Sequence, residues 1–164
     1  MKTLILLRHA KSSWKDPYLS DHDRPLNKRG KRDAPLMARV YKRHFSSPDL
    51  ILCSSSERTK ATANAFIQEL GIGVEKLEYE RGLYHADAFE MLRIISLVDS
   101  GVNTLLVIGH NPGITILANV FKPGLTQNIP TCGMAAFRKP GDSWLDFTSK
   151  EDVDCIGYFA PKLI

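Results

Sequence analysis

Residues 3–14, TLILLRHAKSSW, carry the reading that decides the fold. Leu4 to Leu7 form an unbroken apolar run, the pattern of a strand covered on both faces, as strands of parallel sheets are. The run stops abruptly at Arg8 and His9, a fixed cation and a titratable imidazole. A core strand with such groups at its end needs a use for them outside the sheet.

Working outward, a polar loop, KDPYLSDHDRPLN (15–27), precedes a helix expected over 28–45. In that helix Met37, Val40, Tyr41 and His44 recur at helical spacing, and Pro35 implies a late start or a kink. DLILCS (49–54) reads as a second buried strand. It runs straight into SSERTKATANAFIQELG (55–71), a helix with a serine cap at its start, Glu57 suited to its positive end and Gly71 to stop it. VEKLEY (74–79) is a weaker third strand. DAFEMLRIISLVDSG (87–101) is a helix whose apolar face is read as Phe89, Leu92, Ile94 or Ile95, and Val98. NTLLVIGHNPG (103–113) is the strongest strand-to-loop signal, followed by a short helix, ITILANVF (114–121). TCGMAAFRK, SWLDFTS and VDCIGYFA, with a turn at KPGDS, read as three closing strands. Strands alternating with helices predict an α/β fold, a three-layer α/β/α sandwich around a mostly parallel sheet with an antiparallel edge. No repeat or linker interrupts the chain, so residues 1–164 are expected to form a single domain.

Composition narrows the function. The chain has 164 residues, is 43% hydrophobic and 24% charged, and has no stretch long enough to span a membrane. Lys2 and the leucines after it are too short a pattern for a signal peptide. Cys53, Cys132 and Cys155 are odd in number and widely spaced, which disfavours disulfides and zinc and predicts buried thiols in a reducing cytoplasm. The net charge of +4 favours anionic partners, although the basic run 27–45 has the make-up of a solvated helix face. No basic strand carries aromatics for stacking bases, so no nucleic acid is expected. No metal motif, Walker loop or cofactor motif appears, and no cofactor is expected.

In a mainly parallel sheet, ligands bind beyond the carboxyl ends of the strands. Those ends carry Arg8 and His9 after the first strand, Arg58 after the second and His110 after the fourth. A lone histidine there is usually structural. Arg58 alone would sit badly in a helix's first turn, where the dipole disfavours cations by a few tenths of a kcal/mol. Together they crowd cationic and potentially cationic groups that repel unless an anion sits among them. Phosphate fits, because guanidinium forks grip two phosphoryl oxygens at once and a neutral histidine is a nitrogen nucleophile. Neighbouring arginines should depress the His9 pKa and keep its lone pair available.

LLRHAKS (6–12), SSSERTKATA (54–63) and VIGHNPG (107–113), in this order, resemble the signatures of the histidine phosphatase superfamily, phosphoglycerate mutase-like proteins. RHAKSSW with DHDRPLNKRG more closely resembles its SixA-type phosphohistidine phosphatase branch. The resemblance spans essentially the whole chain. It implies a metal-independent phosphatase in which His9 becomes phosphorylated while Arg8, Arg58 and His110 bind the phosphoryl oxygens. Ala10 departs from the family's usual glycine, which a negative φ would allow. For a general acid the resemblance points to the segment after the third strand, where Glu80 best suits the family pattern and His85 and Asp87 are the alternatives; Asp87 equally suits a helix cap. An imidazole leaving group needs little acid help.

Ser12 and Arg24 are candidate phosphate ligands beside Lys11 and Ser13, with a structural salt bridge as the alternative role for Arg24. The expected partner is a phosphorylated protein or a small phosphometabolite. Two alternatives stand beside phosphohistidine hydrolysis: a small-molecule phosphomonoesterase of the same fold, and a non-catalytic phosphate-binding module. A cysteine phosphatase is disfavoured, because only four residues, none of them glycine, separate Cys53 from Arg58.

Overall fold

The computed structural model describes residues 1–164, and six strands in it make one sheet: β1 (Lys2–Arg8), β2 (Leu50–Ser54), β3 (Leu77–Glu80), β4 (Thr104–Gly109), β5 (Met134–Lys139) and β6 (Asp154–Phe159). Their order is β3-β2-β4-β1-β5-β6. The first four in that order run parallel, and β5 and β6 continue the sheet antiparallel. Four helices connect them: α1 (Lys28–His44), α2 (Glu57–Leu70), α3 (Ala88–Ser96) and α4 (Gly113–Phe121).

Strand alternation sorts the core into two layers. Ile5, Leu7, Leu106, Ile108, Met134 and Ala136 face one cluster with Met37, Tyr41 and Phe66 of α1 and α2. Leu4, Leu6, Leu105, Val107, Ala135 and Phe137 face the other with Met91, Ile95, Ile114 and Leu117 of α3 and α4. The expected α/β/α sandwich is therefore present. β1 and β4 sit at its centre, and this explains their unbroken apolar runs.

Several local expectations need correction. SWLDFTS is not a strand; Trp144–Thr148 form a 3₁₀ helix. Strand alternation would have put Trp144 and Asp146 on one face, whereas the 3₁₀ repeat buries Trp144 and Phe147 together and leaves Leu145 exposed. Val74–Lys76 are likewise a 3₁₀ turn, so β3 is only the second half of VEKLEY. α3 buries Met91, Ile94 and Ile95 and turns Phe89 outward. α1 starts at Lys28, capped by Asn27, and carries Pro35 within it. Cys155 is only half-buried.

Two details hold the rim where the parallel strands end. A Cβ on Gly30 of α1 would lie 2.2 Å from the Lys11 carbonyl oxygen, so this close approach admits only glycine and pins the loop after β1. The antiparallel entry of β5 brings residues 129–133 to the same rim, where the Cys132 N–H bonds to the carbonyls of Arg8 and His9.

Candidate active site

The parallel strands place their last residues side by side, as β1 pairs Arg8 with Gly109 of β4 and β4 in turn flanks β2. His9 follows β1, His110 follows β4, and Arg58 comes from the first turn of α2, which Ser56 caps by accepting the Thr59 N–H. All three side chains are nearly buried, at 7%, 5% and 4% exposure. The structure thus brings Arg8, His9, Arg58 and His110 into one cluster.

His9 is held as a nucleophile would be. Its Nδ1 lies 2.8 Å from the Ala10 carbonyl oxygen. A carbonyl only accepts, so Nδ1 carries the hydrogen and the lone pair is on Nε2. Burial pushes the His9 pKa down to about 3; the Ala10 hydrogen bond pulls upward, but the charges of Arg58, Arg8 and Arg24 push further down. Ala10 keeps a negative φ, so alanine costs nothing there, and its N–H donates to Thr62 Oγ1 at 3.0 Å.

Arg58 donates from Nε to His9 Nε2 at 3.4 Å and from Nη2 to His110 Nδ1 at 3.5 Å, so it spans both imidazoles. Their ring centroids are 5.2 Å apart. With Nδ1 of His110 accepting, its Nε2–H donates to the buried Ser54 hydroxyl at 2.8 Å. Burial, then the neighbouring His9 and Arg58, lower the His110 pKa to about 3. Arg8 donates from Nη1 to the Ile129 carbonyl at 3.0 Å. Its Nε is buried with no hydrogen-bond partner.

Sequence reasoning missed the group that organises these cations. Asp21 accepts from Arg58 Nη2 at 3.1 Å, from Arg24 Nη2 at 3.0 Å and from the Tyr84 hydroxyl at 2.5 Å, while its backbone carbonyl takes Arg58 Nη1 at 2.7 Å. Both ends of the Arg58 fork are thereby fixed, and Nε is left facing His9. Burial favours the neutral acid, but hydrogen bonds from Tyr84, Arg24 and Arg58 outweigh it and hold the Asp21 carboxyl well below the usual carboxylate range. Three guanidiniums (Arg8, Arg24, Arg58) against this one carboxylate leave 3 − 1 = +2 around two neutral imidazoles. The one hint in the sequence was the i, i+3 spacing of Asp21 and Arg24; nothing marked Tyr84 or Ser54.

The remaining candidates divide. Arg24 forms the expected salt bridge with Asp21 and also donates to Ser12 Oγ at 2.6 Å, so both buried side chains back the cluster from behind. The Glu80 carboxylate is not brought in: it caps a 3₁₀ turn through the Gly82 N–H at 2.9 Å and faces a groove shared with Glu75, Glu78 and Arg93. Asp87 caps α3 through the Glu90 N–H, the alternative role foreseen for it. His85 reaches the edge, with Nε2 3.9 Å from Asp21 Oδ2. No group of three or more metal-ligating side chains is assembled, and no helix is long and apolar enough to cross a membrane.

Known proteins are similar to this chain in sequence and fold. Residues 4–87 match the family model described as histidine phosphatase superfamily (branch 1). An uncharacterized chloroplast protein of Arabidopsis thaliana is 33% identical over 87% of this chain and 69% of its own length. A structure from Nakamurella multipartitia bearing the name phosphohistidine phosphatase SixA superposes with a TM-score of 0.84 at 25% identity, covering 98% of this chain and 96% of that one. One of the same name from Agrobacterium tumefaciens gives 0.82 at 27% identity over 98% of both chains.

Proposed function

The chain belongs to the histidine phosphatase superfamily and is a phosphatase, and from that premise we propose that it hydrolyses phosphohistidine on proteins through a covalent phosphoryl intermediate on His9. Residues 1–164 act as one catalytic domain, and its three free thiols suit the reducing cytoplasm. The Nε2 lone pair of His9 attacks phosphorus as the bond to the leaving group breaks. Arg8, Arg58 and His110 hold the phosphoryl oxygens, and the unpaired Nε–H of Arg8 gains the acceptor it lacks. An arriving dianion favours protonation of His110, turning its Nδ1 from acceptor to donor. Water then attacks phospho-His9 and releases phosphate.

The observation that carries the choice of substrate is the state of Asp21. It is the one carboxylate in the cluster, and it is held ionised, so it has no proton to give at neutral pH. An alkoxide leaving group needs such a proton, whereas a phosphohistidine ring, with a pKa of about 7, takes its proton from solvent on the nitrogen not bonded to phosphorus and departs as neutral imidazole without an acid from the protein. A non-catalytic module would leave the neutral, oriented His9 without a task.

The test sets a phosphohistidine peptide and an aryl phosphate against an alkyl phosphate. We expect kcat/KM for the first two to exceed the third by about 10² or more. Acid-labile label from the donor should map to His9, and His9→Ala should cost about 10³ or more in rate. Equal turnover of the alkyl phosphate overturns the substrate reading; label on Cys53 overturns the mechanism.

A further inference from the structure

Beside the arginine–histidine cluster lies a cavity of about 530 Å³, lined by His22, Ser55, Lys60, Tyr79, Arg81 and Tyr84. It adjoins the cluster on two loops. His22 follows Asp21, which fixes Arg58, and Ser55 follows Ser54, which holds His110. The Tyr84 ring, which lines the cavity, lies 5.5 Å from the His110 ring, so cavity and cluster share a wall. Tyr84 belongs to both, with its hydroxyl on Asp21 and its ring edge-on to His22 at 4.8 Å. The His22 Nε2 to Ser55 Oγ contact of 2.9 Å ties the two loops into one wall.

The lining is cationic, and its cations are poorly paired. No ion pair of the chain includes Arg81. Lys60 has only a long contact of 3.8 Å to Glu57 one turn back, and its ammonium lies 5.1 Å from the Tyr79 ring centroid. Two cations facing one hollow, with no carboxylate in its lining, call for an anion supplied from outside, while His22 beside them already has Asp23 Oδ1 3.6 Å from its Nδ1.

We propose that this cavity is a second anion subsite that takes the carboxylate of an acidic residue neighbouring the phosphorylated residue of a protein substrate. It rests on the reading of a protein-borne phosphoryl group. Lys60 and Arg81 pair with the carboxylate, and the Tyr79 and Tyr84 rings pack against the methylenes of the incoming side chain. No bond is made or broken there; the subsite selects among substrates.

The experiment compares four peptides: phosphohistidine and phosphoserine versions of one sequence, each with flanking Glu or with Gln in its place. At low salt, wild type should favour Glu over Gln in kcat/KM by about fivefold, the size of one or two partly exposed ion pairs. The preference should shrink with added salt and fall below about twofold in Lys60→Ala/Arg81→Ala. Arg81→Gln alone, at an exposed position, serves if the double variant fails to fold. A wild-type ratio near one, or a ratio that survives the substitutions, overturns the subsite while leaving phosphohistidine hydrolysis standing. Equal turnover of phosphoserine with the Glu preference intact does the reverse. No turnover of any peptide overturns both.

Discussion

At the first residue of β1, Lys2 is 2% exposed and gives its ammonium to the Ser100 carbonyl at 2.5 Å, the Val102 carbonyl at 2.8 Å and Asn103 Oδ1 at 3.0 Å. At the last, Arg8 has one carbonyl partner, a buried Nε–H with none, and a second guanidinium close enough for burial and Arg58 together to lower its pKa. An ammonium has three donors, so the Lys2 end is complete. The Arg8 end is incomplete, which leaves a donor for the phosphoryl group of the proposed reaction. One strand thus shows what separates a structural cation from a binding one: whether the protein itself supplies the acceptors.

This contrast can be broken by experiment. Arg8→Leu should lower kcat/KM by about 10² while leaving the melting temperature unchanged or higher, because an unpaired donor and a repulsion are removed. A large loss of stability there would put Arg8 in the same class as Lys2. Conversely, Lys2→Met should destabilise by about 1–3 kcal/mol in urea titration, leaving the Ser100 carbonyl and Asn103 Oδ1 without their donor while Val102 keeps the Trp144 N–H, with kcat within about twofold of wild type. Asp21→Asn keeps the shape but turns one accepting oxygen into a donor, so either Arg24 or the Arg58–Tyr84 pair loses its acceptor, and it removes the charge that orients Arg58. It should cost about tenfold in kcat/KM, or about 1.4 kcal/mol, less than loss of either arginine.

The smallest effect concerns pH. His9 and His110 titrate at about 3 in the folded protein rather than at 6.5, so both stay neutral in the free enzyme through mildly acidic conditions. Corrected for substrate ionisation, kcat/KM should not fall between about pH 7.5 and 5.5, where an ordinary imidazole nucleophile would lose about tenfold, and the proton that His110 takes up on binding makes it rise. Stability behaves differently. Between these pKa values the unfolded chain binds more protons, so the contribution of the two imidazoles is complete above about pH 6.5 and is lost as pH falls towards 3. A rate profile that falls with an apparent pKa near 6.5 would show that the imidazoles are not buried as described.

Much of the architecture was legible because the central strands are buried on both faces. Leu4–Leu7 and Leu105–Ile108 have no polar alternation to confuse, and their ends name the rim where Arg8, His9 and His110 must meet. The edges were harder. WLDFT is compatible with a strand by local propensity, and only the space under α3 and α4 selects a 3₁₀ turn that buries Trp144 and Phe147 together. Phe89 looked like core because helical phase is ambiguous over nine residues, and packing chose Met91 instead. At the site, Glu80 and Asp21 were both acids in polar loops; the rim topology decided that Asp21 reaches the cluster and Glu80 caps its own turn.

The order and burial of the strands, and the kinds of groups at their ends, follow from the chain alone, because hydrophobic periodicity is local and strand ends in a parallel sheet all point one way. Partnership is not local. That Asp21 clamps Arg58, that Arg8 lacks a partner for Nε while Lys2 lacks none, and that Tyr84 joins the cluster to the adjoining cavity depend on distances between residues far apart in sequence. Hydrogen bonds reward contact within about 3 Å, and only the folded packing of the loops determines which groups come that close.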